Sequence, residues 1–355
     1  MTDKIRVLVA DDSALMRVRI SEMLNADPEI EVIATARDGM DALEKIMKIR
    51  PDVVTLDVEM PRLDGLNTLG YIMSEIPTPV VMVSAYTQRG AEAAFRSLEY
   101  GAVDFVPKPS GTISRDIGRI REDLIAKVKI AAKVDLGKLE FISPRGIEKK
   151  RWAGKPGSMV SGKKIVAIGA STGGPRALAN LLPKLPPDIA AGVLVVQHMP
   201  AGFTRSLADR LDSECLIAVK EAREGDIIEA GQALIAPGDY HMTVEKGGVD
   251  KREAETVSLN HGPPLHGVRP SVDIMMQSAA RVYGSNVVGV ILTGMGSDGV
   301  EGMKRIKKFD GRTLAEHEST CVVYGMPKSA IQEGVVDKVV PLSKMADAIM
   351  DMLER

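Results

Sequence analysis

Three residues far apart in the chain have the types that build a nucleophilic catalytic unit. Ser171 lies in Gly169-Ala170-Ser171-Thr172-Gly173-Gly174, between an apolar run and a helical pattern with Pro175 near its first turn. On a tight strand-to-helix turn a serine hydroxyl stands exposed at the sheet edge. The glycines permit the turn, and the N–H groups of the helix start favour a developing oxyanion. A phosphate-binding glycine loop is the other reading, although the segment lacks GxGxxG and no Lys follows as in a P-loop. His198 ends the next strand candidate, in VVQHMP. A lone histidine is more often structural, but a general base for Ser171 must stand on a neighbouring strand end, and His198 does. Asp298 follows a further strand in LTGMGSDG, where two glycines let the backbone return to the same edge. There a carboxylate orients an imidazole and stabilises the imidazolium, although one Asp in a glycine-rich loop also reads as a turn residue. Such a unit forms an acyl-enzyme and hydrolyses it. The order Ser…His…Asp disfavours the α/β-hydrolases, whose order is Ser…Asp…His, despite the GxSxG match. His241, His261, His266 and His317 fall in a hairpin or loops and are weaker candidates.

A second constellation lies near the N-terminus. Asp11 and Asp12 follow the first strand candidate, Asp57 ends the third, Ser84 ends the fourth and Lys108 follows the fifth. In an open parallel sheet the carboxyl ends of the strands share one edge, where ligands bind. Acids cap loops in many α/β proteins, but acids, a hydroxyl and a lysine at successive strand ends are a stronger pattern. Close carboxylates repel and raise one another's pKa; a hard dication such as Mg²⁺ resolves this with oxygen ligands. A carboxylate beside a cation, a lysine and a hydroxyl is also a receptacle for a phosphoryl group. Asp57, alone on a central strand, is the natural nucleophile.

The elements that must position these residues are visible as alternation. In the first part, β-branched runs at Ile5–Ala10, Glu31–Thr35, Val53–Val58, Pro79–Ser84 and Val103–Val106 alternate with helical spacing, ending in a helix near Ser114–Ala132. In the second, strand candidates are Lys164–Ile168, Val193–Gln197, Leu216–Lys220, Leu234–Pro237 and Val287–Leu292. Helix candidates there are Arg176–Leu182, Thr204–Leu211 and Val272–Val282. His241–Val244 and Glu253–Leu259 flank Lys246-Gly247-Gly248 as a hairpin. The expected fold class is therefore α/β: two doubly wound parallel-sheet domains, the second with an antiparallel hairpin.

With 355 residues, 45% of them hydrophobic, 26% charged and mean hydropathy +0.00, the chain is globular and long enough for two domains. Aromatic residues are only 3%, so the core is aliphatic. No apolar run approaches the ~20 residues of a membrane span. The opening MTDKIRVLVADD is no signal peptide, which points to the cytoplasm and against membrane insertion. The net charge of −2 argues against nucleic acid as a partner. The segment 134–162 is basic, rich in Gly, Pro and Ser, and reads as a linker between domains at 1–133 and 163–355. Its Trp152 either pins it to a domain surface or merely lies on it. Cys215 and Cys321 have neither disulfide-framework nor zinc-site spacing and read as buried apolar residues.

The first half resembles the flavodoxin-like receiver domain of response regulators, through VLVADDS (Val7–Ser13), TLDVEMPRLDG (Thr55–Gly65), Ser84-Ala85 and DFVPKP (Asp104–Pro109). That resemblance implies phosphorylation at Asp57 and Mg²⁺ held by Asp11, Asp12 and Asp57. It also implies Lys108 on the phosphoryl group and Ser84 and Phe105 as switch residues. From Lys163 onward the chain resembles the catalytic domain of the chemotaxis protein-glutamate methylesterases (the CheB family). The matching stretches are IGASTGG, QHMPAGFT (Gln197–Thr204), GVRPSVD (Gly267–Asp273), LTGMGSDG and VVYGMPKSA (Val322–Ala330). This implies Ser171 as nucleophile, His198 as base, Asp298 as orienting acid and the Met295 N–H as oxyanion donor, with no cofactor for the ester step. It further implies a chemotaxis enzyme that cleaves glutamate methyl esters on chemoreceptors to carboxylate and methanol, and deamidates receptor glutamines. A histidine kinase would be the phosphodonor, and phosphorylation would relieve a receiver packed over the esterase cleft. GRTLAEHE (Gly311–Glu318) looks like a diverged form of a stretch ending AQDE, with Glu316 and His317 in place of Gln and Asp. The rival readings are a response regulator with a non-catalytic, DNA-binding output and an esterase for small esters. The first is disfavoured by the absence of a helix-turn-helix pattern.

Overall fold

The computed structural model describes residues 4–85, 87–108, 117–138, 164–246 and 254–354. The chain divides into two compact units, Met1–Ser143 and Pro144–Arg355. Most of the basic segment 134–162, with Trp152, lies outside the described residues, as do residues 247–253, which include the Gly247-Gly248 expected between the hairpin strands.

The first unit alternates strand and helix: β1 Ile5–Ala10, α1 Ala14–Asn25, β2 Ile30–Ala36, α2 Gly39–Ile49, β3 Val53–Asp57, α3 Gly65–Glu75, β4 Val80–Ser84, α4 Gln88–Glu99, β5 Asp104–Pro107 and α5 Ile117–Ala131. The parallel sheet has the order β2-β1-β3-β4-β5, with β3 at its centre. Every residue of β3, β4 and β5 is buried, as continuous apolar strands covered on both faces require. The helices start where side chains can cap them. Ser13, Asp38, Asp64 and Thr87 each accept the N–H three residues on, which fixes where the strand-end loops turn into α1 to α4.

The second unit runs β6 Ile165–Ala170, α6 Gly174–Leu181, β7 Gly192–Gln197, α7 Phe203–Glu214, β8 Ala218–Glu221, β9 Gln232–Ile235, β10 His241–Glu245, β11 Thr256–Asn260, α8 Val272–Tyr283, β12 Val287–Ile291, α9 Val300–Lys308, β13 Arg312–Glu316, α10 Met326–Gln332, β14 Lys338–Val340 and α11 Met345–Glu354. Seven parallel strands take the order β14-β13-β12-β6-β7-β9-β8. The chain winds outward from β6 to one side and then returns to the other, so the switch point lies at β6, between β7 and β12. These three strands are buried at every residue and form the centre of an aliphatic core. Each Val, Leu or Ile buried there contributes about 1.5–3 kcal/mol. β10 and β11 form the antiparallel hairpin, in register His241↔Asn260 to Glu245↔Thr256.

The parallel sheets and the hairpin match the sequence reading, and Cys215 and Cys321 are buried and form no disulfide. Two strands escaped it. β13 contains Arg312 and Glu316, and β14 has two exposed residues out of three, so neither shows the apolar run of an inner strand. Their partners in the sheet, more than their own composition, make them strands. Strand β8 starts at Ala218 because Leu216 is exposed, two residues later than the apolar pattern suggests.

Candidate functional site

In the first unit the strand ends bring the acidic residues together. Asp11, Asp12 and Asp57 each present a carboxylate oxygen within 4.8 Å of the others. Lys108 Nζ lies 2.7 Å from Asp57 Oδ2 and 3.0 Å from Asp11 Oδ2. The contact with Asp57 is a hydrogen bond, and buried Asp11 Oδ2 has no partner beyond the Lys108 ion pair among the described residues. Burial, and with it the Asp11 charge, pushes the Asp57 carboxyl up to about 6 against the pull of Lys108. An under-satisfied buried oxygen among close carboxylates fits a hard dication. The hydroxyl of Ser84 is directed elsewhere, donating to Gly90 O at 2.8 Å. Phe105 is buried edge-on to Phe95, with ring centroids 5.7 Å apart.

In the second unit the three strands around the switch point deliver Ser171, His198 and Asp298. Ala170 of β6 is in register with Gln197 of β7, so Ser171 and His198 leave adjacent strand ends side by side. The His198 N–H donates to Ala170 O at 3.1 Å. Gly173, at φ +79, takes the left-handed conformation that turns the chain into α6. Gly294, after β12, passes so close to the turn that a Cβ there would come within 2.7 Å of Ser171 Cβ. The Ser171 N–H donates to Thr293 O at 3.1 Å, and Gln197 Nε2 donates to Ser171 O at 2.9 Å. The nucleophile turn is therefore clamped from both neighbouring strands.

Asp298 receives four donors. Ser271 Oγ at 2.8 Å and the Asp273 N–H at 3.0 Å reach Oδ1; the Val272 N–H at 2.7 Å and His198 Nε2 at 2.8 Å reach Oδ2. Ser271 caps α8, so the carboxylate lies against that helix's free N–H groups. Burial alone would raise the Asp298 carboxyl, but the His198 ring and these N–H groups outweigh it and hold the group below its ordinary value. Beside it, burial and the Asp298 charge raise Asp273, whose Oδ1 accepts the Gly299 and Gly302 N–H groups.

With Nε2 committed to a charged acceptor, the proton belongs on Nε2 and the lone pair on Nδ1. Among the described residues no hydrogen bond joins Ser171 Oγ to the ring. The structure thus brings His198 and Asp298 into contact and puts Ser171 on the next strand end, with the base–nucleophile bond unformed. Such bonds commonly tighten only when substrate arrives. The Met295 N–H donates to no group among the described residues, while the flanking Gly294 is held by the Val323, Gly325 and Met326 backbones.

Several supporting residues were not singled out by sequence: Ser271, Asp273, Gln197 and Thr293. All four lie inside GVRPSVD, QHMPAGFT and LTGMGSDG, where the residue types alone assign them no role. Of the weaker histidines, His266 alone approaches this cluster, with Nε2 3.1 Å from Asp273 Oδ2.

The family model described as CheB methylesterase matches residues 166–349, and that described as response regulator receiver domain matches residues 7–115. The chain is 52% identical to the protein-glutamate methylesterase/protein-glutamine glutaminase of Pyrococcus abyssi, over 99% of this chain and 94% of that protein. It is 53% identical to the protein of the same name from Symbiobacterium thermophilum, over 97% of this chain and 96% of that one. The crystal structure of the CheB methylesterase catalytic domain of Thermotoga maritima is similar with TM-score 0.51 and 45% identity, covering 53% of this chain and 97% of that one. The site geometry, the two matched domains and relatives alike along nearly their whole length lead to one conclusion: the chain belongs to the CheB methylesterase family and carries a response regulator receiver domain ahead of its esterase domain.

Proposed function

We propose that this chain is a phosphorylation-regulated serine esterase that hydrolyses glutamate methyl esters on chemoreceptors and deamidates receptor glutamines. On this reading the receiver spans 1–133, a basic linker 134–162 and the catalytic domain 163–355. The observation that carries the catalytic reading is the 2.8 Å bond from His198 Nε2 to Asp298 Oδ2, on the strand end next to that of Ser171.

His198 Nδ1 takes the proton of Ser171 Oγ as the oxygen attacks the ester carbonyl carbon. The carbonyl π electrons move to the oxygen, which the Met295 N–H receives. Asp298, ionised and fixed by four donors, stabilises the imidazolium. Collapse breaks the bond to methoxide, which takes the proton from His198 and leaves as methanol. Water, deprotonated by the same ring, then cleaves the glutamyl ester of Ser171. A glutamine amide follows the same course with ammonia as leaving group.

In the receiver, Asp57 attacks the phosphorus of a phosphohistidine on the partner kinase, and the N–P bond breaks as the acyl phosphate forms. Lys108 faces the oxygens that gain charge. Asp11, Asp12 and Asp57 would hold Mg²⁺, which supplies further positive charge for those oxygens when bound. No helix among the described residues is long and apolar enough to cross a membrane; the substrate would be the cytoplasmic part of the receptor, met in the cytoplasm without membrane insertion or nucleic acid.

Methanol release from methylated receptor membranes tests the proposal. Wild type releases methanol faster with a phosphodonor, Ser171→Ala releases about 10⁴-fold less, and Asp57→Asn ignores the phosphodonor. Equal release by wild type and Ser171→Ala would sink the assignment.

A further inference from the structure

Glu316 ends β13 fully buried. Its Oε2 accepts the Thr293 N–H at 2.8 Å, and Oε1 is buried without a hydrogen-bond partner. Thr293 is the residue whose carbonyl holds the Ser171 N–H, and its hydroxyl donates to Thr172 O at 3.0 Å. One residue therefore separates the carboxyl from the nucleophile turn, and Thr293 leads directly into Gly294 and Met295.

We propose that Glu316, in its protonated form, is a positioning residue for the esterase: it holds Thr293 and with it the nucleophile turn and the oxyanion donor, and its ionisation switches the site down. The inference rests on the ester-hydrolysis reading above. An uncharged carboxyl accepts the Thr293 N–H without adding charge. A carboxylate places a negative charge, with one oxygen bare, beneath the loop that must receive an oxyanion, which opposes the developing charge.

The surroundings favour the neutral form. Burial pushes Glu316 up to about 7, opposed only by the Thr293 N–H and the Thr320 side chain, with no cation taking part. The Thr320 hydroxyl donates instead to His317 O at 3.3 Å, and the His317 ring turns to Ser319 Oγ at 2.9 Å. On β14 the register partner is Val340. Cys321 Sγ approaches the Glu316 backbone carbonyl at 3.8 Å, not the carboxyl. Of the three lysines of α9, Lys304 pairs with Glu301 and Glu333, and Lys307 with Asp337.

The experiment is methanol release from methylated receptor membranes against pH for wild type and Glu316→Gln. The two match near pH 6, and wild type falls behind Glu316→Gln by about tenfold or more by pH 9. A ratio that stays flat with pH overturns the proposal while leaving the catalytic reading intact. No release by wild type at any pH removes that reading and this one with it. If Glu316→Gln does not fold, Glu316→Met, uncharged throughout, must equally lack the alkaline fall. Carbon-13 spectra of wild type labelled at glutamate carboxyls give an independent readout. One carboxyl titrating near neutrality is expected, and its absence refutes the proposal.

Discussion

The two acidic sites occupy the same place in two parallel sheets, yet they are built on opposite electrostatic plans. In the receiver, Asp11, Asp12 and Asp57 crowd one another, Asp57 is raised and Asp11 Oδ2 has only the Lys108 ion pair among the described residues. In the esterase domain, both oxygens of Asp298 are occupied by donors and the group is held low. The first site sets Lys108 against crowded carboxylates; the second surrounds one carboxylate with donors and holds one ring. A buried carboxylate is thus raised where like charges crowd it and held low where donors surround it.

Replacing an aspartate by asparagine should therefore have opposite effects at the two sites. Asp298→Asn removes the charge from four donors and turns an amide NH₂ toward some of them. It should cost about 10³–10⁴-fold in kcat and lower stability by about 3 kcal/mol or more, the penalty for breaking a buried charged network. Asp11→Asn removes a repulsive neighbour of Asp57, and should raise the metal-free Tm by the equivalent of about 1 kcal/mol while weakening Mg²⁺ binding. Thermal melts with and without Mg²⁺ read both. Tm changes of the same sign in the two variants would break the contrast.

Much of this was legible in the sequence, for a physical reason. Parallel strands buried on both faces must be continuous apolar runs, so β1, β3, β6, β7 and β12 announce themselves, and their carboxyl ends mark where chemistry collects. Ser171, His198, Asp298, Asp57 and Lys108 could be placed on those edges from that rule alone. The partners of Asp298 could not, because Ser271 and the N–H groups of α8 reach it only through tertiary packing, some 25 residues away in the chain. β13 and β14 were missed because outer strands need not be apolar throughout. Glu316 was visible as a departure from a motif; its full burial at the end of β13 was not, because it follows from packing.

Glu316 also stands between the two plans, a buried carboxyl with one donor where Asp298 has four. Its pKa is raised, so the folded chain keeps a proton that the unfolded chain releases. Stability from this group is full below the ordinary value of 4.5, declines as pH rises toward about 7, and is flat above. The shift corresponds to about 3 kcal/mol at most. The Tm of wild type relative to Glu316→Gln should drop across that window, followed by calorimetry. A constant difference would mean that Glu316 is ionised throughout.

The smallest effect separates the sites most cleanly. Ser13 and Ser271 cap α1 and α8 alike, each accepting the N–H of the third residue on at 3.4 Å. Their alanine variants should each lose about 1 kcal/mol of stability, the usual worth of a cap. Only Ser271 Oγ also donates to Asp298, so only Ser271→Ala should slow ester hydrolysis. The loss should be a few-fold and fall on kcat rather than KM, since the hydroxyl steadies the imidazolium through Asp298 and touches no substrate. Ser13→Ala should leave both the esterase rate and phosphoryl uptake at Asp57 unchanged, because its hydroxyl touches none of the receiver's carboxylates. If Ser271→Ala melts lower but turns over as wild type does, the hydroxyl serves the helix alone, and the donors to Asp298 that matter for catalysis reduce to the ring and the backbone.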